Sequence, residues 1–555
     1  MTRSLVWLKR DLRLHDHLPL AMAAEGPAAA VWILEPQWLE SPEFHPRHLA
    51  FARGCVEELR LRLARRGLPL LVRHGPAVEV LAALHREQGY ERLLSHEETG
   101  PGWSYERDRA VAAWCRDQGV AWQEVPQHGV VRRLRSRSGW AGRWAARMEA
   151  PQVPVPEGWS GWTGVALGAW PDLDDHRGGS AAGVRALPVE TGDTTHPGES
   201  SHPGDPTRPG ERAGLALLGS FLEGRGRGYR RSLSSPLTAE EGCSRVSAHL
   251  AWGALSLRRV HQRTEAAIEQ AKQQGDRSLA HGLRGFSGRL RWHCHFMQKL
   301  EDEPAIEFRH FARACDGLRP GDDAPGAPAW GASQAARLQA WQEGQTGYPM
   351  VDACMRSLNA TGWLNFRMRA MLVSFASYHL WLHWRPTGLH LARQFTDFEA
   401  GIHWSQMQMQ SGTTGINTLR VYSPTKQALD QDPQGDFIRR WVPELRDVPL
   451  NRLATPWAMD RAEQQAAGCV IGRDYPEPIV EEKAAAKAAK DAMYGLRREG
   501  GAQVEADRIQ ARHGSRKSGL PQTGLGRRGA PPPKPKASAK AGPTASENQL
   551  DLFDS

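Results

Sequence analysis

Five short apolar runs alternate with stretches of helical periodicity in the first 130 residues, and this alternation limits the possible folds more than any other feature. The runs are SLVWL (4–8), AAAVWIL (28–34), LPLLVRHG (68–75), ERLLSH (91–96) and VAWQEV (120–125). Strands that alternate with helices are typical of a parallel sheet covered by helices. The pattern therefore predicts an α/β, Rossmann-like domain over residues 1–130. No G-x-G-x-x-G motif follows the first run, which argues against a dinucleotide site of that type.

The remainder of the chain has a different pattern. Residues 172–212 are rich in Gly and Pro, which predicts an interdomain linker. From 213 to 482 apolar residues recur at intervals of three and four without β-type runs, which predicts an all-α domain. Residues 500–555 are mostly small, Pro or basic, and 511–540 holds eight Lys or Arg and no acid. A segment with so little apolar surface is predicted to be a disordered basic tail.

Charge and cysteine usage narrow the class of protein. The chain has 71 basic and 62 acidic residues and a pI near 9.3, which suits a partner that carries phosphate. Its seven cysteines form no C-x-x-C pair, so neither a disulfide framework nor a zinc ribbon is indicated, and no metal is expected. There is no apolar run of membrane-spanning length, and Lys9, Arg10 and Asp11 interrupt any signal region. We expect a monomer in the cytoplasm.

Three long strings in the helical half resemble, in order and spacing, the FAD-binding domain of the photolyase and cryptochrome family. They are EGCSRVSAHLAWGALS (241–256), LQAWQEGQTGYPMVDACMRSLNATGW (338–363) and GTTGINTLRVYSPTKQALDQDPQGDFIRRWVPEL (412–445). LVWLKRDLRLHDH (5–17) is similar to the opening strand of the same family, and the resemblance covers about 1–495.

The resemblance implies FAD in the helical domain and a possible antenna chromophore, of unknown identity, in the α/β domain. The implied activity is light-driven repair of cyclobutane pyrimidine dimers in DNA by electron transfer from excited, reduced FAD. Two alternatives stay open: a cryptochrome-like blue-light photoreceptor, and a photolyase for another photoproduct or for single-stranded DNA.

The resemblance also implies which residues bind FAD. In CSRVS (243–247) Ser244 and Ser247 can serve as capping hydroxyls beside N–H groups that face an anion, here the FAD diphosphate. Arg369 and Asp397 are implied as a charged pair beside the flavin ring. The complete implied set is Tyr229, Cys243, Ser244, Arg245, Val246, Ser247, Arg289, Trp292, Phe296, Phe366, Arg369, Asp397, Phe398 and Glu399.

Electron supply to the flavin is implied to run through tryptophans. Trp384 and Trp330 match the middle and outer members of the family's chain. The inner member is missing, because HWSQMQMQSG has no W-x-W, and Trp404 is the candidate replacement. His403 stands where the family places the residue that faces flavin N5. Two further tryptophans are interpreted as core residues: Trp341 and Trp363.

The dimer pocket departs from the family pattern. Trp292 matches the aromatic wall on which a flipped base stacks. Arg289, Phe366 and Met409, however, stand where the family has Glu, Asn and the second Trp of W-x-W. Asn365 stands where a His would indicate repair of the 6-4 photoproduct, which ranks that activity lower.

Two further sets of residues are predicted to contact macromolecules. Arg367, Arg420 and Lys426 are candidates for DNA phosphates around the pocket mouth. The terminal QLDLF resembles the peptide by which bacterial repair proteins dock on the sliding clamp; the alternatives are a chance match and docking on the protein's own surface. Its candidate contact residues are Gln549, Leu550, Leu552 and Phe553.

Overall fold

The computed structural model describes residues 1–170, 208–498 and 500–514. The amino-terminal part is a five-stranded, all-parallel sheet in the order β3-β2-β1-β4-β5. Its strands are β1 (Ser4–Leu8), β2 (Ala28–Leu34), β3 (Leu70–His74), β4 (Arg92–His96) and β5 (Ala121–Val125). Its helices are α1 (Leu18–Met22), α2 (Pro36–Leu39), α3 (Pro46–Ala64), α4 (Ala77–Gln88) and α5 (Gly102–Gln118). The next helix, α6 (Trp140–Glu149), packs in a core shared with the helical part of the chain. The predicted α/β domain is confirmed.

The central strands are buried on both faces. Every residue of β1 and β2 is buried, as expected for parallel strands with helices on either side. On one face of the sheet Val6, Leu8 and Trp32 pack with α3, and on the other Leu5 and Trp7 pack with α4 and α5. The runs that form β1 and β2 are therefore largely continuous apolar stretches, whereas β5 alternates between exposed and half-buried residues before the buried Val125.

The second part is helical throughout and contains the largest apolar core. Its helices are α7 (Glu211–Glu223), α8 (Tyr229–Ser232), α9 (Pro236–Gly242), α10 (Ser247–Ala251), α11 (Leu257–Gln273), α12 (Arg277–Asp302), α13 (Ala332–Glu343), α14 (Pro349–Thr361), α15 (Phe366–Ser374), α16 (Trp384–Gln394), α17 (Ala400–Ser411), α18 (Pro424–Gln431), α19 (Asp436–Trp441), α20 (Leu450–Leu453), α21 (Arg461–Ala466), α22 (Glu482–Arg497) and α23 (Gly500–His513). A π-helical turn, Phe375–His379, follows α15. None of the helices in the described ranges is long and apolar enough to cross a membrane.

Helix α23 corrects the prediction that disorder begins at residue 500. Its Glu505 carboxylate accepts hydrogen bonds from the backbone N–H groups of Arg313 and Ala314, at 2.8 and 2.9 Å. Ile509 and His513 are buried against the helical domain. Ala506, Ile509 and His513 recur at helical spacing on the buried face, while Val504 is exposed. This short face finds a partner surface that a count of composition does not reveal. The remaining predicted tail and residues 172–207 of the predicted linker lie outside the described residues.

The α/β domain holds the loop between α16 and α17 in place. Three consecutive contacts fix its carbonyl groups: His48 Nε2 with Phe395 O at 2.9 Å, Trp252 Nε1 with Thr396 O at 3.0 Å, and Arg10 Nη1 with Phe398 O at 2.8 Å. Trp252 itself belongs to the core of the α/β domain. The position of this loop is thus set by both domains.

Candidate functional site

A cavity of about 330 Å³ opens in the helical domain, with largely apolar walls. It lies between the turn before α10, helices α12, α15 and α17, and the loop between α16 and α17. The predicted residues that line it are Tyr229, Cys243, Ser244, Arg245, Ser247, Arg289, Trp292, Phe296, Phe366, Arg369, Asp397, Phe398, Glu399 and His403. Val246, the remaining member of the implied set, is buried behind the wall. Residues from five separate sequence segments therefore meet in one place.

Arg369 and Asp397 form a bidentate ion pair on the cavity wall. Arg369 Nη1 and Nη2 donate to Asp397 Oδ1 and Oδ2 at 3.0 and 2.8 Å. The guanidinium also lies 3.9 Å from the ring centroid of Phe395. Burial disfavours the charged carboxylate, but Arg369 and a hydrogen bond from the Ser247 hydroxyl lower the pKa of Asp397 below its ordinary value. The pair therefore stays ionised at neutral pH.

The turn at 243–247 differs from the predicted helix cap. Helix α10 has Val246 at its N-cap and no side-chain capping bond, so the capping roles of Ser244 and Ser247 are wrong. Arg245 has φ +59, and Val246 follows at φ −88, ψ 5. A left-handed residue followed by a right-handed one turns successive N–H groups to one side and forms a concave anion site. The backbone, rather than the hydroxyls, provides the anion-binding geometry.

Trp363 belongs to the cavity and not, as the sequence indicated, to the core. It lines the cavity, and the guanidinium carbon of Arg245 lies 3.7 Å from its ring centroid. Burial lowers the pKa of Arg245 to about 10, so it remains a cation. Within the described residues Arg245 Nε and Asn365 Oδ1 are buried without a hydrogen-bond partner.

His293 is a site residue that the sequence did not reveal. Its Nε2 lies 2.8 Å from Glu399 Oε2, and both side chains line the cavity. Burial works against a charged ring, but the carboxylate of Glu399 raises the pKa of His293 to about 10. His293 is thus a further cation on the cavity wall, beside the arginines that line it. Its position next to Trp292 on α12 was the signal in the sequence that could have indicated a site residue. Its partner Glu399, however, is 106 residues away in the sequence.

His403 is neutral, unlike His293. Its Nε2 donates to Gly388 O at 2.9 Å, and burial lowers its pKa to about 4. A Cβ at Gly388 would lie 2.7 Å from the ring of Trp404. Only glycine permits the close approach of α16 to α17 here, and that approach creates the hydrogen bond to His403.

The tryptophans form a shorter series than predicted. The rings of Trp384 and Trp404 have centroids 5.8 Å apart, and Trp404 lies 6.4 Å from the ring of Phe398 on the cavity wall. Met407 lines the cavity at the position of the missing inner tryptophan. Trp330 packs over Gly321, and among the described rings no stacking or edge contact joins it to Trp384. Trp404 is therefore placed for its predicted role, and the role of Trp330 stays a prediction.

The remaining predicted contact residues lie outside the cavity lining. Lys426 is exposed at the start of α18, and its Nζ lies 3.1 Å from Asp430 Oδ1. Arg367 and Arg420 are half-buried. Their roles at DNA phosphates stay predictions. The four residues of QLDLF lie outside the described residues.

Comparison with known proteins matches two family models to this chain. Residues 4–139 match the model described as DNA photolyase, and residues 286–495 match the FAD binding domain of DNA photolyase. The chain is 31% identical over 503 residues to the deoxyribodipyrimidine photo-lyase of Escherichia coli (strain K12), covering 87% of this chain and 97% of that one. It is 29% identical over 520 residues to the cryptochrome DASH of Gloeobacter violaceus, covering 88% and 95%.

Solved structures show the same fold. A bacterial class III photolyase from Agrobacterium tumefaciens superimposes with a TM-score of 0.72 at 23% identity, covering 89% of this chain and 98% of that one. An α/β domain joined to a helical domain, with this cavity, defines a two-domain flavoprotein. The chain belongs to the DNA photolyase family. The relatives that it matches include both photolyases and cryptochromes.

The residues of the cavity fit FAD, the cofactor that the family implies. The concave turn at 243–247 and Arg245 suit a diphosphate. The apolar walls suit an aromatic ring system, and the cations Arg369 and His293 suit a ring that becomes negative on reduction. The unpaired Arg245 Nε and Asn365 Oδ1 offer a donor and an acceptor to a ligand.

Proposed function

We propose that this protein is a light-driven DNA photolyase that repairs cyclobutane pyrimidine dimers. The observation that carries the proposal is the shared cavity, which Trp292 lines together with the residues that fit FAD. A flipped pyrimidine pair that stacks on Trp292 would lie within the cofactor cavity. The 31% identity to the E. coli photo-lyase over nearly its whole length supports the same activity.

Four polar residues of the site, together with its apolar lining, control the charge around the cofactor in this reaction. When bound and reduced, FAD would supply the light-excited electron that splits the dimer. The ionised Arg369–Asp397 pair and the cation His293 stabilise negative charge at the cavity wall. His403 stays neutral because its pKa is about 4, so it offers a hydrogen-bonding nitrogen without adding charge. The apolar lining excludes water, which strengthens these electrostatic interactions.

The altered dimer pocket makes a blue-light photoreceptor the second candidate. Arg289, at the place of the family's Glu, lies with its guanidinium carbon 5.5 Å from the ring of Phe366 and lines the cavity. A cation cannot accept the hydrogen bonds that a carboxylate accepts from a dimer. A sensor does not require those hydrogen bonds, and a photolyase for another photoproduct or for single-stranded DNA would make different ones.

Illumination of the purified, chemically reduced protein with ultraviolet-damaged DNA separates these functions. We expect restored pyrimidines in the light and none in the dark, and a strong loss of repair per bound FAD for Trp292→Ala. Binding to damaged DNA should weaken steeply with salt, because phosphate contacts release counterions. The same binding to damaged and undamaged DNA, with no restored pyrimidines, would favour the photoreceptor.

Three further features complete the proposal. The protein acts as a monomer, and it acts in the cytoplasm on DNA. A second, light-harvesting chromophore binds in the α/β domain. A structural relative, the archaeal photolyase of Sulfolobus tokodaii, is described with two FAD molecules. Extraction of pigments from the purified protein identifies that chromophore, and sedimentation measures the oligomeric state.

We also propose that QLDLF docks on a bacterial sliding clamp. Leu552 and Phe553 are adjacent apolar anchors, and Gln549 can both donate and accept hydrogen bonds. Docking would raise the effective concentration of the enzyme near DNA. A peptide of residues 545–555 should bind the clamp, and the full chain with Leu552→Ala and Phe553→Ala should lose this binding while it keeps FAD. A scrambled peptide is the control, and equal binding by both peptides would rule out a specific dock.

A further inference from the structure

Trp384 is hydrogen-bonded to a buried histidine. Its indole Nε1–H donates to His310 Nδ1 at 2.9 Å, and His310 Nε2 lies 2.8 Å from Asp322 Oδ2. Because Nδ1 accepts, the neutral ring carries its proton on Nε2 and donates it to Asp322. Trp384 is fully buried and His310 is 5% exposed. The three groups thus form a directed line of two hydrogen bonds, whose two rings are shielded from water.

Asp322 is held in its ionised form. Burial works against its charge, but hydrogen bonds from Gly317 N–H and from His310 lower the pKa of Asp322. The backbone N–H groups of Gly317 and Ala324 donate to its two oxygens at 2.9 and 3.1 Å. A carboxylate anchored in this way can balance a positive charge on His310 without moving.

The line begins next to the cofactor cavity. The ring centroids of Trp384 and Trp404 are 5.8 Å apart, and those of Trp404 and His403, which lines the cavity, are 4.7 Å apart. These are contact distances between rings, so an electron can pass from Trp384 through Trp404 toward the cavity.

The two tryptophans differ in how well they tolerate loss of an electron. The guanidinium carbon of Arg385 lies 5.1 Å from the Trp404 ring centroid, and this cation disfavours a positive charge there. Within the described residues the Nε1–H of Trp404 has no hydrogen-bond partner, so Trp404 has no base to receive its proton. Trp384 has one. A positive charge created on Trp404 is therefore drawn to Trp384.

We propose that His310, held by Asp322, is the proton acceptor that traps oxidised Trp384 during light-driven reduction of the cofactor. This inference rests on the proposed function. With FAD bound, Trp404 would give one electron to the light-excited, oxidised flavin, and one electron from Trp384 would replace it. The Nε1–H bond of oxidised Trp384 then breaks and an Nδ1–H bond forms on His310. The products are a neutral tryptophan radical and an imidazolium beside the Asp322 carboxylate. A thiol or another one-electron donor from solution returns the electron, and His310 returns the proton.

Flash photolysis of the FAD-loaded full chain tests the step. His310→Gln keeps a hydrogen-bond acceptor but removes the base. A positioned base typically speeds proton transfer about 10²-fold or more, so the neutral radical should form more slowly by about that factor. The charge should then return to Trp404 and recombine, which lowers the yield of stable photoreduction. The matched control is His390→Gln, since His390 is also buried and contacts the ring of Trp341 at 5.7 Å.

Two readouts separate proton acceptance from a structural role. Neutral radical formation should slow in heavy water in the native protein but not in His310→Gln. Asp322→Asn should slow it to an intermediate extent, because the imidazolium loses its balancing charge. In the dark, nitrogen NMR of labelled histidines should show His310 unprotonated at Nδ1 and protonated at Nε2. If His310→Gln does not fold or load FAD, the Asp322→Asn and NMR results decide.

Several results would overturn the proposal. They are an unchanged rate of neutral radical formation in His310→Gln, no isotope effect in the native protein, or a His310 that is doubly protonated at neutral pH. Repair by chemically reduced protein does not need Trp384. If the reduced protein repairs DNA but His310→Gln forms the neutral radical at the native rate, this inference alone is refuted. If the reduced protein does not repair DNA, the result counts against the proposed function.

Discussion

The side chains of Arg369 and Asp397 are joined by two parallel hydrogen bonds, although the residues lie on different elements, α15 and the loop before α17. The side chain of Asp397 is 6% exposed and that of Arg369 is 26% exposed. Contacts from the α/β domain hold the carbonyls of the same loop. The ion pair therefore links the cofactor cavity to the interface between the domains.

Asp397→Asn should weaken FAD binding. The change leaves Arg369 without a charged partner and replaces one of the two acceptor oxygens of Asp397 with an NH2 group that only donates. We expect the Kd for FAD to rise at least about tenfold, which corresponds to about 1.4 kcal/mol. Fluorescence titration of apoprotein with FAD measures this. Asp430→Asn, on the exposed end of α18, should have no effect, and equal Kd values for both variants would contradict the role of the pair.

His293 should make stability depend on pH in the alkaline range. Its pKa is about 10 in the folded protein against an ordinary value of 6.5. Between these values the folded state binds a proton that the unfolded state lacks, so the free energy of unfolding should fall as pH rises from 6.5 to 10. Urea unfolding of the native protein and of His293→Gln checks this. The variant should show a smaller decrease over this range, while His281→Gln, an exposed change on the same helix, should follow the native curve.

Trp404→Phe should slow blue-light reduction of the oxidised cofactor. Trp404 lies between the cavity wall and Trp384, and phenylalanine is much harder to oxidise. Trp341→Phe is the matched control, because Trp341 is also fully buried in the same core but lies outside this series. Absorbance of the flavin under steady illumination measures both rates. Equal rates in the two variants would remove Trp404 from the path.

Gly401→Ala should destabilise the helical domain. A Cβ at this position would lie 2.7 Å from Met297 Cα, so α12 and α17 would have to separate. We expect a loss of about 1–3 kcal/mol in the free energy of unfolding. Gly142→Ala in α6 meets no atom within 4 Å and should be neutral or stabilising by up to about 1 kcal/mol. Denaturant unfolding of both variants gives the comparison, and a neutral Gly401→Ala would show that the helices can adjust.

The sequence by itself determined the strands, the helical half and most of the cavity lining. All five runs are strands within two residues of their predicted bounds, because short stretches rich in aliphatic, β-branched and aromatic residues specify a strand through local chemistry. The residues from Tyr229 to His403 could be assigned because long strings resemble a known family in register.

Only the tertiary structure decided which distant residues meet. His293 and Glu399 are 106 residues apart, and His310 and Trp384 are 74 apart. Helix α23 forms where composition predicted disorder, because its apolar face finds a surface on the helical domain. Local sequence encodes backbone state and the face that each side chain occupies. It does not encode the distance to a partner on another element, since that distance depends on how all the elements pack together.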